Sequence, residues 1–188
     1  MRILVIGSGG REHAICWALN KTSAEPVELF CAPGNAGIAQ VAECVPIQVD
    51  DLSALAGYAE QSHIDLTLVG PEAPLAAGIV DEFESRGLRI VGPNKAAARL
   101  ESSKAFAKDF MTRHSIPTAG YRVANSIQEA KHILQSGEFG DDLASVVIKA
   151  DGLAAGKGVF VARDRAAALD AVRELESGAG ALKPQRGS

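Results

Sequence analysis

Arg2-Ile-Leu-Val-Ile6 runs straight into Gly7-Ser-Gly-Gly10 and then into a helical pattern over Arg11–Asn20. A short run of branched apolar residues closed by glycines reads as a buried strand. Glycines between a strand and a helix let the backbone turn tightly and let a ligand approach closely. The helix N-terminus behind them offers unpaired N–H groups and a positive dipole end, which suit a phosphate. This opening asks for an α/β unit with a ligand-binding edge.

The same rhythm continues for about ninety residues. Strands are expected at Val27–Ala32, Val45–Val49, Asp65–Val69 and Arg89–Val91. Helices are expected at Leu52–Ser62, with Asp51 as its N-cap, and at Ala73–Arg86, ending at Gly87. Strand–helix alternation with short loops predicts a parallel α/β sheet of the Rossmann-like kind. Gly92-Pro93-Asn94 breaks the pattern, and Lys95–His114 is helical, divided around Glu101–Ser103. Pro117 disfavours helix at the residue before it, which places a domain boundary near Pro117–Gly120. The predicted domains are 1–121 and 122–188. In the second, strands are expected at Tyr121–Ala124, Val146–Lys149 and Val159–Ala162, and helices at Ser126–Gln135 and Asp164–Glu176. Two strands joined by a glycine-rich turn and flanked by helices make a small α+β lobe.

The first glycine cluster resembles a dinucleotide fingerprint but does not complete it. GxGxxG needs glycine at position 12, where Glu12 stands. The ribose-binding acid expected after the second strand is absent, because that strand ends in Cys31-Ala32-Pro33. A phosphate-bearing sugar therefore fits better than a nicotinamide dinucleotide. A tight turn without a ligand, with Arg11 and Glu12 solvated and His13 a packing residue, is the plainer alternative. Two further loops, Ala32–Gly37 and Gly70–Leu75, also follow strands. Ligands of open α/β sheets bind beyond the carboxyl ends of the strands. Together the three loops offer backbone N–H groups, the Asn35 amide and the Glu72 carboxylate.

The hydrophobic share of 47%, the charged share of 22% and a net charge of −4 describe an ordinary globular chain. They point to neither a nucleic-acid groove nor a membrane surface. No apolar run reaches the roughly 18 residues of a membrane span. Ile3–Ile6 is too short for a secretory segment, which needs roughly 7–15 apolar residues. Cys16, Cys31 and Cys44 are odd in number and lack CxxC spacing, so buried free thiols in a cytoplasmic protein are expected.

The second glycine cluster, Ala150-Asp-Gly-Leu-Ala-Ala-Gly-Lys-Gly158, follows Lys149. Such a loop can cover a triphosphate, with Lys149 and Lys157 as point charges. It is not a Walker loop. Gly152 and Gly156 enclose three residues instead of four, and Gly158 follows Lys157 where Ser or Thr is needed. A hairpin with two solvated lysines is the alternative.

GSGGREHA, APGNAG, LVGPEAPL, a GPN element, LESSKAFAKDFM, HSIPTA and KADGLAAGKGV occur in that order. In this the chain resembles the glycinamide ribonucleotide synthetase (phosphoribosylamine–glycine ligase) family, across about the first 175 residues. The resemblance implies a pre-ATP-grasp α/β domain followed by the small ATP-grasp lobe, the B subdomain. It implies that ATP phosphorylates the glycine carboxylate and that the amine of phosphoribosylamine then attacks the acyl phosphate. It places Gly9, Gly10, Arg11, Glu12, Asn35, Gly37, Gly70, Pro71 and Glu72 on the phosphoribosylamine side. It places Lys104, Lys149, Gly156, Lys157 and Gly158 at ATP. The family's Mg²⁺-binding carboxylates lie in a larger subdomain with no counterpart in these 188 residues. No metal ligand is therefore expected here, and the chain by itself is expected to be inactive. A non-catalytic module binding a sugar phosphate or a protein partner is the second reading. Phosphoribosylamine, glycine and ATP are the expected partners, and the oligomeric state is left open.

Overall fold

Alternating side chains of the first strand feed two cores. In a computed structural model, which describes residues 1–153 and 158–177, β1 (Arg2–Gly7) lies at the centre of a five-stranded sheet. Leu4 and Ile6 point to one face and pack with Phe30, Leu55, Ile79 and Phe83. Ile3 and Val5 point to the other and pack with Cys16, Leu29, Cys31 and Ile38. The period of two in a buried strand has this consequence. The sheet order is β3-β2-β1-β4-β5, with β2 at Glu28–Pro33, β3 at Glu43–Cys44, β4 at Leu66–Val69 and β5 at Ile90–Val91. Every pairing is parallel. The helices are α1 (Gly10–Thr22), α2 (Leu52–Gln61), α3 (Glu72–Ala77), α4 (Ile79–Ser85) and α5 (Lys95–Ser102). Asp51 caps α2 as expected, accepting from Ala54 N at 3.0 Å.

The second unit holds α6 (Lys104–Arg113), α7 (Ile127–Gln135), the antiparallel hairpin β6 (Val146–Lys149) and β7 (Val159–Ala162), and α8 (Arg165–Glu176). Leu134, Ala162, Ala168 and Val172 form its core, with Val146 and Ile148 packed against them. The other face of the hairpin is open. Val147 stands opposite Val161, and Lys149 opposite Val159. All four are exposed, Val161 by 79%.

Four local expectations are corrected. The third strand is Glu43–Cys44, not Val45–Val49. Val45 still donates to Cys31 O at 2.8 Å, but the next N–H on that side, that of Ile47, turns back to Val45 O at 2.7 Å and leaves the ladder. The helix expected over Ala73–Arg86 is two helices, because Gly78 sits at φ 105° between them. Tyr121–Ala124 is not a strand, since among the described residues the second sheet contains only β6 and β7. Of the three thiols, Cys16 and Cys31 are buried but Cys44 is half-buried. A hydrogen bond to Cys16, together with burial, pushes the Cys31 thiol far up from its ordinary value.

The chain divides into compact units Met1–Ser102 and Ser103–Ser188. This division precedes the expected boundary near Pro117–Gly120, so α6 falls in the second unit. Hydrogen bonds from its first turn explain why, since Lys104 N and Ala105 N both donate to Asp151.

The Thr67 hydroxyl, in the middle of the first sheet, is buried without a hydrogen-bond partner. An unsatisfied buried hydroxyl costs about 1–3 kcal/mol, so Thr67→Val should stabilise the first unit by about 1 kcal/mol. Urea unfolding followed by Trp17 fluorescence checks this, and an unchanged or lower midpoint would contradict it.

Candidate functional site

The strand order reverses between β1 and β4, so a crevice opens beyond their carboxyl ends. At those strand ends the side chain of Glu12 is packed against Gly7 and Gly70. The residue lies in the first turn of α1 and is only 3% exposed. Its Oε2 accepts from Gly9 N at 2.6 Å, closing the helix start in the manner of a capping box. Its Oε1 is buried and accepts no hydrogen bond, and Arg11 Nε stands 3.4 Å from it.

Glu12 explains three of the glycines around it. A Cβ on Gly7 would lie 2.5 Å from Glu12 Cγ, and one on Gly9 would lie 3.0 Å from Oε2. On Gly70 it would lie 2.0 Å from Oε1. Gly10 is different, because a Cβ there would meet nothing within 4 Å. The first N–H groups of α1 are not used by the helix itself. Gly10 thus leaves open space over that helix terminus.

The second loop is fastened to the first. Asn35 Nδ2 donates to Ser8 O at 2.7 Å, and Gly34 N donates to Gly7 O at 3.1 Å. Asn35 Oδ1 accepts from Gly37 N and Ile38 N at 2.8 and 2.9 Å. The Asn35 side chain therefore builds the loop, with its oxygen used twice. Gly37 makes room for the His13 ring, whose Cε1 would be 2.8 Å from an added Cβ. The third loop follows β4. Gly70 N donates to Ile6 O at 3.0 Å, Pro71 precedes α3, and Glu72 begins it. Arg11 Nη2 stands 3.6 Å from Glu72 Oε2, both side chains largely exposed. Such a pair contributes little stability, but it places a cation and a carboxylate at one edge. All nine residues expected on the sugar-phosphate side thus lie in the three loops beyond β1, β2 and β4 or in the first turns of α1 and α3 that follow two of them. Glu12 alone departs from the plain reading of a solvated first turn.

In the second unit, Asp151 ties the end of β6 to the start of α6. Its Oδ1 accepts from Lys104 N at 2.6 Å and Ala105 N at 3.3 Å, and its Oδ2 accepts from Ser103 Oγ at 3.0 Å. Partial burial acts to raise the Asp151 carboxyl. The hydrogen bonds from Ala105, Ser103, Lys104 and Gly152 outweigh it and hold its pKa below the ordinary value. The Lys104 ammonium donates to Gly152 O at 2.8 Å. Gly152 and Gly158 sit at φ 97° and 88°, where other residues are strained. Ala150 N donates to Gly158 O at 2.8 Å. Gly156 and Lys157 lie outside the described residues.

Among the described residues, no group of three or more His, Cys, Asp or Glu side chains could hold a metal ion. No described helix is long and apolar enough to cross a membrane.

Sequence reasoning named Gly7 in the first glycine cluster and His13 as a packing residue, but missed the parts played by Ser103 and Asp151. For Glu12 a signal was available. Gly9-x-x-Glu12 is the spacing of a capping box, which turns the acid back toward the chain.

The parallel sheet with its reversed order, followed by the small α+β lobe, defines the fold class of the ATP-grasp ligases. Solved structures of low identity share it. Carboxyaminoimidazole ribonucleotide synthase from Aspergillus clavatus, complexed with ATP, superposes with a TM-score of 0.69 at 20% identity, over 93% of this chain and 44% of that one. Two family models match end to end. The phosphoribosylglycinamide synthetase N domain covers residues 1–101, and the ATP-grasp (A) domain of the same synthetase covers residues 102–181. The chain belongs to the phosphoribosylglycinamide synthetase family. It is 52% identical to phosphoribosylamine–glycine ligase of Brucella melitensis and 54% identical to that of Pseudomonas putida, in each case over 95% of this chain. The solved phosphoribosylamine–glycine ligase of Thermotoga maritima is 31% identical with a TM-score of 0.67, over 95% of this chain and 38% of that one. The chain spans about 40% of the length of the curated relatives it matches.

Proposed function

We propose that these residues form the sugar-phosphate domain and the small nucleotide lobe of a phosphoribosylamine–glycine ligase. The observation that carries this is the convergence of three loops on one sheet edge, held by Asn35, Glu12 and the Arg11–Glu72 pair. In this reading the phosphate of phosphoribosylamine sits over Gly9 and Gly10 at the α1 terminus, with Arg11 beside it. The loops at Asn35–Gly37 and Gly70-Pro71-Glu72 border the sugar, and Glu72 accepts from its hydroxyls or amine. Glu12 shapes the crevice from below, holding Gly9 N at the start of α1.

In the second unit, Lys104 and Lys149 meet phosphates of ATP, and the open hairpin face at Val147, Val159 and Val161 lies against its base. Gly156, Lys157 and Gly158 belong to the loop over the nucleotide. The whole reaction joins phosphoribosylamine and glycine at the expense of ATP, through an acyl phosphate on glycine. Localisation in the cytoplasm accords with three free thiols.

Phosphoryl transfer depends on stabilising charge on the transferred group. Among the described residues no group of three or more His, Cys, Asp or Glu side chains could hold a metal ion for that task. The 188 residues by themselves are accordingly expected to bind without turnover. Ribose 5-phosphate should shift the amide signals of Gly9, Gly10 and Arg11, and no phosphate should be released from ATP with glycine and phosphoribosylamine present. Unmoved amides would refute the sugar-phosphate site, and glycine-dependent phosphate release would refute the inactivity.

A further inference from the structure

Asp151 is more than a cap for α6. Ser103 already fills that role, accepting from Phe106 N at 3.1 Å. Asp151 reaches the same helix from 47 positions away and takes the next two N–H groups, those of Lys104 and Ala105. Its neighbour Gly152 holds the other end of the same lysine, through its carbonyl and the Lys104 ammonium at 2.8 Å. The positive φ of Gly152 belongs to this turn. Lys104 is thus gripped at its backbone and at its ammonium by one dipeptide. That dipeptide begins two residues after Lys149, the exposed lysine that ends β6.

We propose that Asp151 is a positioning residue, which sets Lys104 on α6 and Lys149 on β6 in one rigid frame so that both meet the same polyphosphate. This rests on the nucleotide reading given above. A frame of this kind removes the entropy of ordering two long side chains and their elements separately. Asp151 itself need not touch the nucleotide, since its oxygens are engaged by Ser103, Lys104 and Ala105.

The test uses the whole 188-residue chain, isotopically labelled and titrated with ATP, with the amide signals of Lys104 and Lys149 as readouts. Asp151→Asn keeps the shape and removes the charge. Asp164→Asn weakens a comparable cap on α8 in the same unit, where Asp164 accepts from Ala167 N at 2.8 Å. Loss of one charge-assisted grip should weaken ATP binding about tenfold in Asp151→Asn. Asp164→Asn should bind like the unaltered chain, even where the two variants lose the same thermal stability. Asp151→Glu, which keeps the charge, should recover part of the affinity. Equal affinity in Asp151→Asn and the unaltered chain overturns the proposal, as does an equal loss in both variants. Absence of any ATP-induced shift in the unaltered chain overturns the nucleotide reading itself, and the proposal with it.

Discussion

Alanine at position 70 should cost the first unit about 2–4 kcal/mol and abolish its response to ribose 5-phosphate. The added Cβ would stand 2.0 Å from Glu12 Oε1 and 2.5 Å from its Cδ and Cγ. No side chain tolerates that approach, so the carboxylate must leave the crevice. Leaving breaks the 2.6 Å bond to Gly9 N and loosens the start of α1, where the phosphate is proposed to bind. The cause is separable from the backbone by a second substitution. Glu12→Ala removes the atoms that clash, so Gly70→Ala should cost less in that background, with a coupling of at least about 1 kcal/mol. A complete double-mutant cycle in urea, read by Trp17 fluorescence, measures it. Strictly additive losses would show that Glu12 is not what forbids a side chain at position 70.

Phe83→Ala should be the most damaging core substitution. Phe83 is fully buried on α4 and packs with Leu4, Ile6, Leu55 and Ile79. Truncating a buried phenylalanine removes transfer free energy and leaves a cavity, at about 3–5 kcal/mol. Whole-domain stability is about 5–15 kcal/mol, so this is a large fraction of it. Trp17 is the only tryptophan and lies in the first unit, on α1. Its fluorescence should report a markedly lower unfolding midpoint in the variant. An unshifted Trp17 transition would mean that the packing around Phe83 contributes little.

The parallel sheet was legible because Ile3–Ile6 is a short apolar run, and Leu66–Val69 one broken only by Thr67, each closed by glycine. Periodicity and punctuation carry that much. The hairpin of the second unit was equally plain from Val146–Lys149, Val159–Ala162 and the glycines between them. Short edge elements were not, because pairing decides them. Glu43–Cys44 is a strand only where β2 lies alongside it, and Tyr121–Ala124 has no such neighbour. At the candidate site, the sequence named the loops but not their internal wiring. Glu12 read as a failed fingerprint, whereas its side chain occupies the room that Gly7, Gly9 and Gly70 leave. Asp151 had no local signal, since its partners lie 46 to 48 positions earlier in the chain.

The hairpin of the second unit has a bearing on how the chain behaves at high concentration. A two-stranded sheet consists of edges alone, and unpaired edges are templates for another chain. Here the edges border an open face bearing Val147, Val159 and Val161. What restrains them is brevity, four residues in each strand, and the charge of Lys149 at one end. Neutralising that lysine removes the gatekeeper and favours sheet-to-sheet association between copies. Solubility and nucleotide recognition would then depend on the same side chain.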